Sequence, residues 1–170
     1  MTKLPFPEPT EHRESRTEVF VGYLDYFRSA LVDKLRGLPE DELRSSRLPS
    51  GWSPITLLKH LTHVERRWLV WRIGGEHIER PWRERSAGRW YVADDESLPE
   101  LVAELHEQAA RSNEIIRAHE LSDLGVPGES WDGEQPASLE RVLFHLLQEY
   151  ARHLGHLDVV RELIDGEVGE

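Results

Sequence analysis

The stretch SLERVLFHLLQEYARHLGHLDVVRELIDG, residues 138–166, decides the fold. Its apolar residues Leu139, Val142, Leu143, Leu146, Leu147, Tyr150, Leu154, Leu157, Val160, Leu163 and Ile164 recur at helical spacing, which predicts one long helix with a single buried face. Ser138 has the side-chain oxygen that an N-cap needs, and Gly166 has the freedom that a C-terminal stop needs. A helix with one apolar stripe requires other elements to cover it.

Working outward, three further segments share that period. Val19, Tyr23, Tyr26, Phe27, Ala30, Leu31 and Leu35 predict a helix that starts near Thr10 or Ser15 and stops before Gly37 and Pro39. Ser53-Pro54 is a cap followed by proline in the first turn, and opens a second helix from about Pro54 to Ile73, closed by Gly74-Gly75. Ser97, with Glu100 three residues on, forms a capping box for a third helix ending near His119. No segment reads as a convincing strand. The expectation is an all-α four-helix bundle over residues 15–166, preceded by an extended arm, residues 1–14, with Pro5, Pro7 and Pro9. The connections 76–96 and 121–137 are long enough for crossover topology, and Trp82 and Trp90 in the first of them predict partial order.

Composition narrows the function. The 170 residues carry a formal net charge of −11, which argues against nucleic acid and anionic membrane surfaces as partners. No run approaches the roughly 18 apolar residues of a membrane helix, and the N-terminal stretch lacks a signal-peptide core, so cytoplasm is the expected compartment. There is no cysteine, which excludes thiolate zinc ligands and a protein thiol nucleophile.

The chemistry-bearing residues lie on two of the helices. His145, Glu149 and His153 are spaced i, i+4, i+8, with His156 one turn beyond His153, and His60 and His63 form an i, i+3 pair on the second helix. Facing bundle helices build metal sites from such inward-pointing side chains. The same spacings also arise as solvated or merely hydrogen-bonded pairs, and spacing alone does not choose among these residues.

Two segments carry a family resemblance. Residues 51–68, GWSPITLLKHLTHVERRW, and residues 149–162, EYARHLGHLDVVRE, resemble the second- and fourth-helix motifs of the DinB-like superfamily. More narrowly, they resemble the branch related to mycothiol-dependent maleylpyruvate isomerase and thiol S-transferases. The resemblance spans about residues 15–166 and implies a DinB-like bundle. Many members bind metal through one histidine on the second helix and two on the fourth. Carried over by position, the ligands are His60, Glu149 and His153, with glutamate in place of the first fourth-helix histidine, as in the isomerase branch. His156 falls where many relatives have glutamine. The implied ion is divalent, zinc first, with nickel, iron or manganese also suited to nitrogen and oxygen donors. The implied cofactor is a low-molecular-weight thiol such as mycothiol, the implied activity metal-activated thiol transfer or isomerisation, and the implied assembly a homodimer.

Other residues are candidates in supporting roles. His63, His145 and His156 are candidates to flank the ligands; Trp52, Trp131 and Arg67 are candidates to hold the thiol cofactor, as are the cationic islands Arg66-Arg67 and Arg83, Arg85, Arg89. Glu65 is expected to pair with Arg161 or Arg152. Two other function classes remain open: metal-assisted hydrolysis by bound water, and a non-catalytic bundle that holds a metal or small ligand.

Overall fold

The computed structural model describes residues 4–169. The chain folds as an all-α bundle. Helix α1 spans Arg16–Leu35, capped by the Ser15 hydroxyl, and a short α2, Glu40–Arg44, follows Pro39. Helix α3, Pro54–Glu65, starts at the expected Ser53 cap. It does not run on as α-helix to Ile73: residues Arg66–Ile73 continue the rod as a π-helix, in which Gly74 N–H donates to Leu69 C=O at 2.8 Å. Helix α4, Leu98–Ala118, carries the Ser97–Glu100 capping box, and α5, Leu139–Asp165, runs from the Ser138 cap to Gly166 in the left-handed region at φ 75°. Among the described residues no helix is long and apolar enough to cross a membrane.

Side-chain pairs give the directions of the helices. Arg16 meets Glu140 at one end of α1, and Arg161 reaches the Arg36 carbonyl at the other, so α1 and α5 are parallel. Arg117 meets Glu18 and Asn113 meets Asp25, so α4 runs against α1. His60 faces Glu149, and Trp68 faces His145, so α3 runs against α5. His63 lies near Glu104, and Gly74 near Ile115, so α3 and α4 are parallel neighbours. The order is up, down, down, up, with α1 diagonal to α3 and α4 diagonal to α5.

That topology explains the long connection 74–97. A parallel pair obliges the chain to return along the whole rod, about 30 Å for the 20 residues of α3 and its π extension at 1.5 Å per residue. The return leg forms a strap. Its middle is a hairpin absent from the sequence reading: β1, Arg85–Ser86, pairs antiparallel with β2, Arg89–Trp90, across a two-residue turn at Ala87 and Gly88, both with positive φ. Arg67 fastens the strap to the π-helix by donating to Glu84 at 2.6 Å and to the Pro81 carbonyl at 2.8 Å. Lys59 fastens its far end through Glu96 at 2.6 Å.

The core is leucine-rich, with Leu24, Leu31, Leu35, Leu58, Leu61, Leu105 and Ile116 almost wholly buried. Before α1, Phe6 of the arm packs edge-on against Tyr23 and Tyr26 at 5.8 and 5.2 Å between ring centres.

Candidate metal centre

A buried polar node sets the register of the helices that carry the site. Glu65, the last residue of α3, is fully buried and accepts from Arg28 Nε at 3.2 Å, from Arg28 Nη2 at 2.5 Å and from Tyr150 Oη at 2.8 Å. Arg28 also donates to Asp25 at 2.6 Å and Asn113 at 2.9 Å. The expected partners of Glu65 were Arg161 and Arg152; the structure corrects both. Arg161 instead meets Asp165, Glu167 and the end of α1, and the true partner sits on the diagonal helix α1, reached through the centre of the bundle. A buried ion pair is costly to leave half made, so the node ties α1, α3, α4 and α5 in one register. Tyr150 is next to Glu149, and Glu65 lies five residues after His60.

Held in that register, His60, Glu149 and His153 converge. His153 Nε2 lies 3.2 Å from Glu149 Oε2, His60 Nε2 lies 3.9 Å from the same oxygen, and one donor atom from each residue falls within 4.8 Å of the others. Donors around a tetrahedral ion with bonds of about 2.0–2.2 Å stand roughly 3.4 Å apart, so small shifts would bring the three around one ion. The protonation states suit it as well. Burial lowers the His60 pKa, leaving a neutral imidazole with a free lone pair. The neighbouring imidazoles of His153 and then His60 hold the Glu149 carboxyl well below the usual carboxylate range despite partial burial. Two imidazoles and one carboxylate form a donor set that zinc accepts, with a fourth position left over.

The flanks of the triad come from different elements. On one side His145, half exposed, places Nε2 3.6 Å from the other oxygen of Glu149, and its ring meets Trp68 edge-on at 4.8 Å. On another, Trp90 of the hairpin stacks on His60 at 4.0 Å and 18° between planes. Beyond it, residues 50–52 and 88–90 line a cleft of about 210 Å³ that includes Trp52, Arg89 and Trp90. Trp90 and the hairpin are what sequence reasoning missed; the tryptophan in a long connection was the available signal.

The remaining candidates fall in distinct places. His156 is exposed, with its ring 5.8 Å from that of His153. His63 points away from the triad: its Nε2 accepts from Arg83 at 3.1 Å and lies 3.7 Å from Glu104, and burial followed by the charges of Arg83 and Arg67 lowers its pKa to about 3. Arg67 is committed to Glu84 and stacks over Trp82. Trp131 is buried against Trp68 and donates to the Val126 carbonyl at 2.9 Å. Trp52 is the aromatic candidate that neighbours the triad, through Trp90 at 6.4 Å. Of the cationic islands, Arg83 is held by Glu104 and Arg85 lies near Glu84 and Trp82, whereas Arg89 lines the cleft.

A family model described as mycothiol-S-transferase matches residues 19–166, which include both helices that carry His60, Glu149 and His153. A search of curated proteins finds no match.

Proposed function

The chain belongs to the mycothiol-S-transferase family, and from that premise we propose that it transfers a mycothiol-type thiol to a small electrophile, using a divalent ion held by His60, Glu149 and His153. The observation that carries this reading is the convergence of three donor atoms from two helices in a chain without cysteine. The attacking sulfur must therefore come from the substrate thiol.

A zinc-like ion held there would supply a Lewis acid able to lower the pKa of the substrate thiol. The protein's own residues do the rest. Glu149 and His153, one turn apart, grip from α5, and His60 closes the grip from α3. His145 steadies the second carboxylate oxygen of Glu149. Trp90 and Trp52 keep water from one flank, and the cleft beside them is smaller than the roughly 300–1,000 Å³ of a whole ligand pocket, so it suits a ring-sized part of the electrophile. In the transfer the thiol's proton passes to solvent, the thiolate's electron pair forms a sulfur–carbon bond, and the carbon–leaving-group bond breaks so that the leaving group departs with its electron pair.

The test is metal content followed by turnover. Purified protein is expected to hold about one ion per chain, and His153→Ala to hold far less. Conjugation of mycothiol to a model electrophile should cease on chelation and return with zinc. A fully metallated protein that consumes no thiol would sink the reading in favour of a non-catalytic bundle. Hydrolysis that needs the ion but no thiol would point to metal-bound water instead.

A further inference from the structure

A metal-ligating imidazole ordinarily donates its second ring N–H to a carboxylate, a carbonyl or water, and that bond fixes the plane of the ring. Among the described residues His60 has no such protein partner: its ring is buried, and its Nδ1 makes no hydrogen bond to them. The torsion that turns an imidazole about its stem is broad, so something else must set the plane.

Trp90 occupies the right place. Its indole lies face to face with His60, 4.0 Å between ring centres and 18° between planes, and it meets His153 edge-on at 5.4 Å and 67°. One indole thus touches both imidazoles of the triad, which themselves meet at 5.2 Å and 77°. The indole is in turn held. Trp90 pairs with Arg85 across the hairpin, the next residue, Tyr91, donates its N–H to the Glu84 carbonyl at 2.8 Å, and the Glu84 carboxylate is fixed by Arg67 of the π-helix. Trp52, just before α3, packs against it at 6.4 Å.

We propose that Trp90 is a positioning residue of the metal centre: its stacked face sets the His60 ring plane where a hydrogen bond would otherwise do so, and thereby aims Nε2 at the point shared with Glu149 and His153. The proposal rests on the metal-binding reading above. It assigns a purpose to the hairpin: the strap carries an aromatic plate to the histidine whose Nδ1 has no hydrogen bond among the described residues.

The experiment compares wild type with Trp90→Phe, which keeps a ring face, and Trp90→Leu, which keeps bulk without one. Each protein is stripped of metal and checked for helix content. Each is then titrated with zinc in competition with a chromophoric chelator, and loaded with cobalt(II) to record its visible bands. The leucine variant should bind zinc about 10–100-fold more weakly and show altered cobalt bands, as other losses of ligand-orienting partners do. The phenylalanine variant should stay within about threefold of wild type with unchanged bands, because a ring face is retained. Wild-type affinity and bands in Trp90→Leu would overturn the proposal while leaving the metal reading intact. A wild type that binds no zinc would overturn both.

Discussion

Two buried histidines one turn apart on α3 meet different surroundings. His60 faces the Glu149 carboxylate and a neutral aromatic plate, whereas His63 faces Arg83, with the Glu104 carboxylate 3.7 Å away, and feels the charges of Arg67, Arg66 and Lys59 as well. Burial and those cations lower the His63 pKa from 6.5 to about 3 in the folded chain. The unfolded chain binds a proton at this residue below about 6.5, and the folded chain does so only below about 3. Between those limits the unfolded state holds more protons, so this residue makes the fold less stable as pH falls, with no such effect above the window. His63→Gln should flatten the pH dependence of the urea midpoint between about pH 6 and 3.5 relative to wild type; equal slopes would refute the assignment. At this scale the sequence was legible where one helix carried the pattern. Spacing puts His145, Glu149 and His153 on one face of α5, and the family motif singled out Glu149 and His153 among them and added His60. The Glu65 partner was not legible, because periodicity tells which face of a helix is buried but not which residue of a diagonal helix meets it there.

Among the elements, the caps were readable and the strap was not. Ser53-Pro54, Ser97 with Glu100, Ser138 and Gly166 all start or stop helices where local chemistry says they should. Two-residue strands carry no period, and Ala87 at φ 49° is not a residue that announces a left-handed turn, so the hairpin left no trace in the pattern. The π-helix was equally silent, since a few residues of slower winding barely shift an apolar stripe. The second long connection shows how tightly such segments seat on that extension. Val126 N–H donates to the Arg72 carbonyl at 2.9 Å, and Arg72 donates to the Ser130 carbonyl at 2.7 Å while stacking over Trp68. Gly125 lies where an added Cβ would stand 2.6 Å from the Arg72 carbonyl and still closer to the Trp131 ring. Gly125→Ala should therefore cost about 1–3 kcal/mol by overpacking, read as a lower midpoint in urea with an unchanged slope. A neutral result would mean that the connection can lift off the π-helix freely.

For the whole molecule, the order of helices follows from the parallel pair α3–α4. Connection lengths allowed a crossover, but only packed side chains reveal which helices are neighbours. The candidate ligands bridge α3 and α5, so an ion there would bind the folded chain alone. Zinc at about one hundred times its dissociation constant should add about 2.7 kcal/mol and raise the melting midpoint by roughly 5–10 °C for a chain of this size. His153→Ala should show no such rise, and a rise in that variant equal to wild type would place the ion elsewhere. The return strap has one more consequence. Its hairpin tip, Ala87-Gly88, points into solvent and belongs to no helix. Residues can be inserted or exchanged there without repacking the bundle, yet Trp90, two residues beyond the tip, lies on His60. Changes at the tip could thus alter the surroundings of the candidate centre while leaving the helical scaffold as it is.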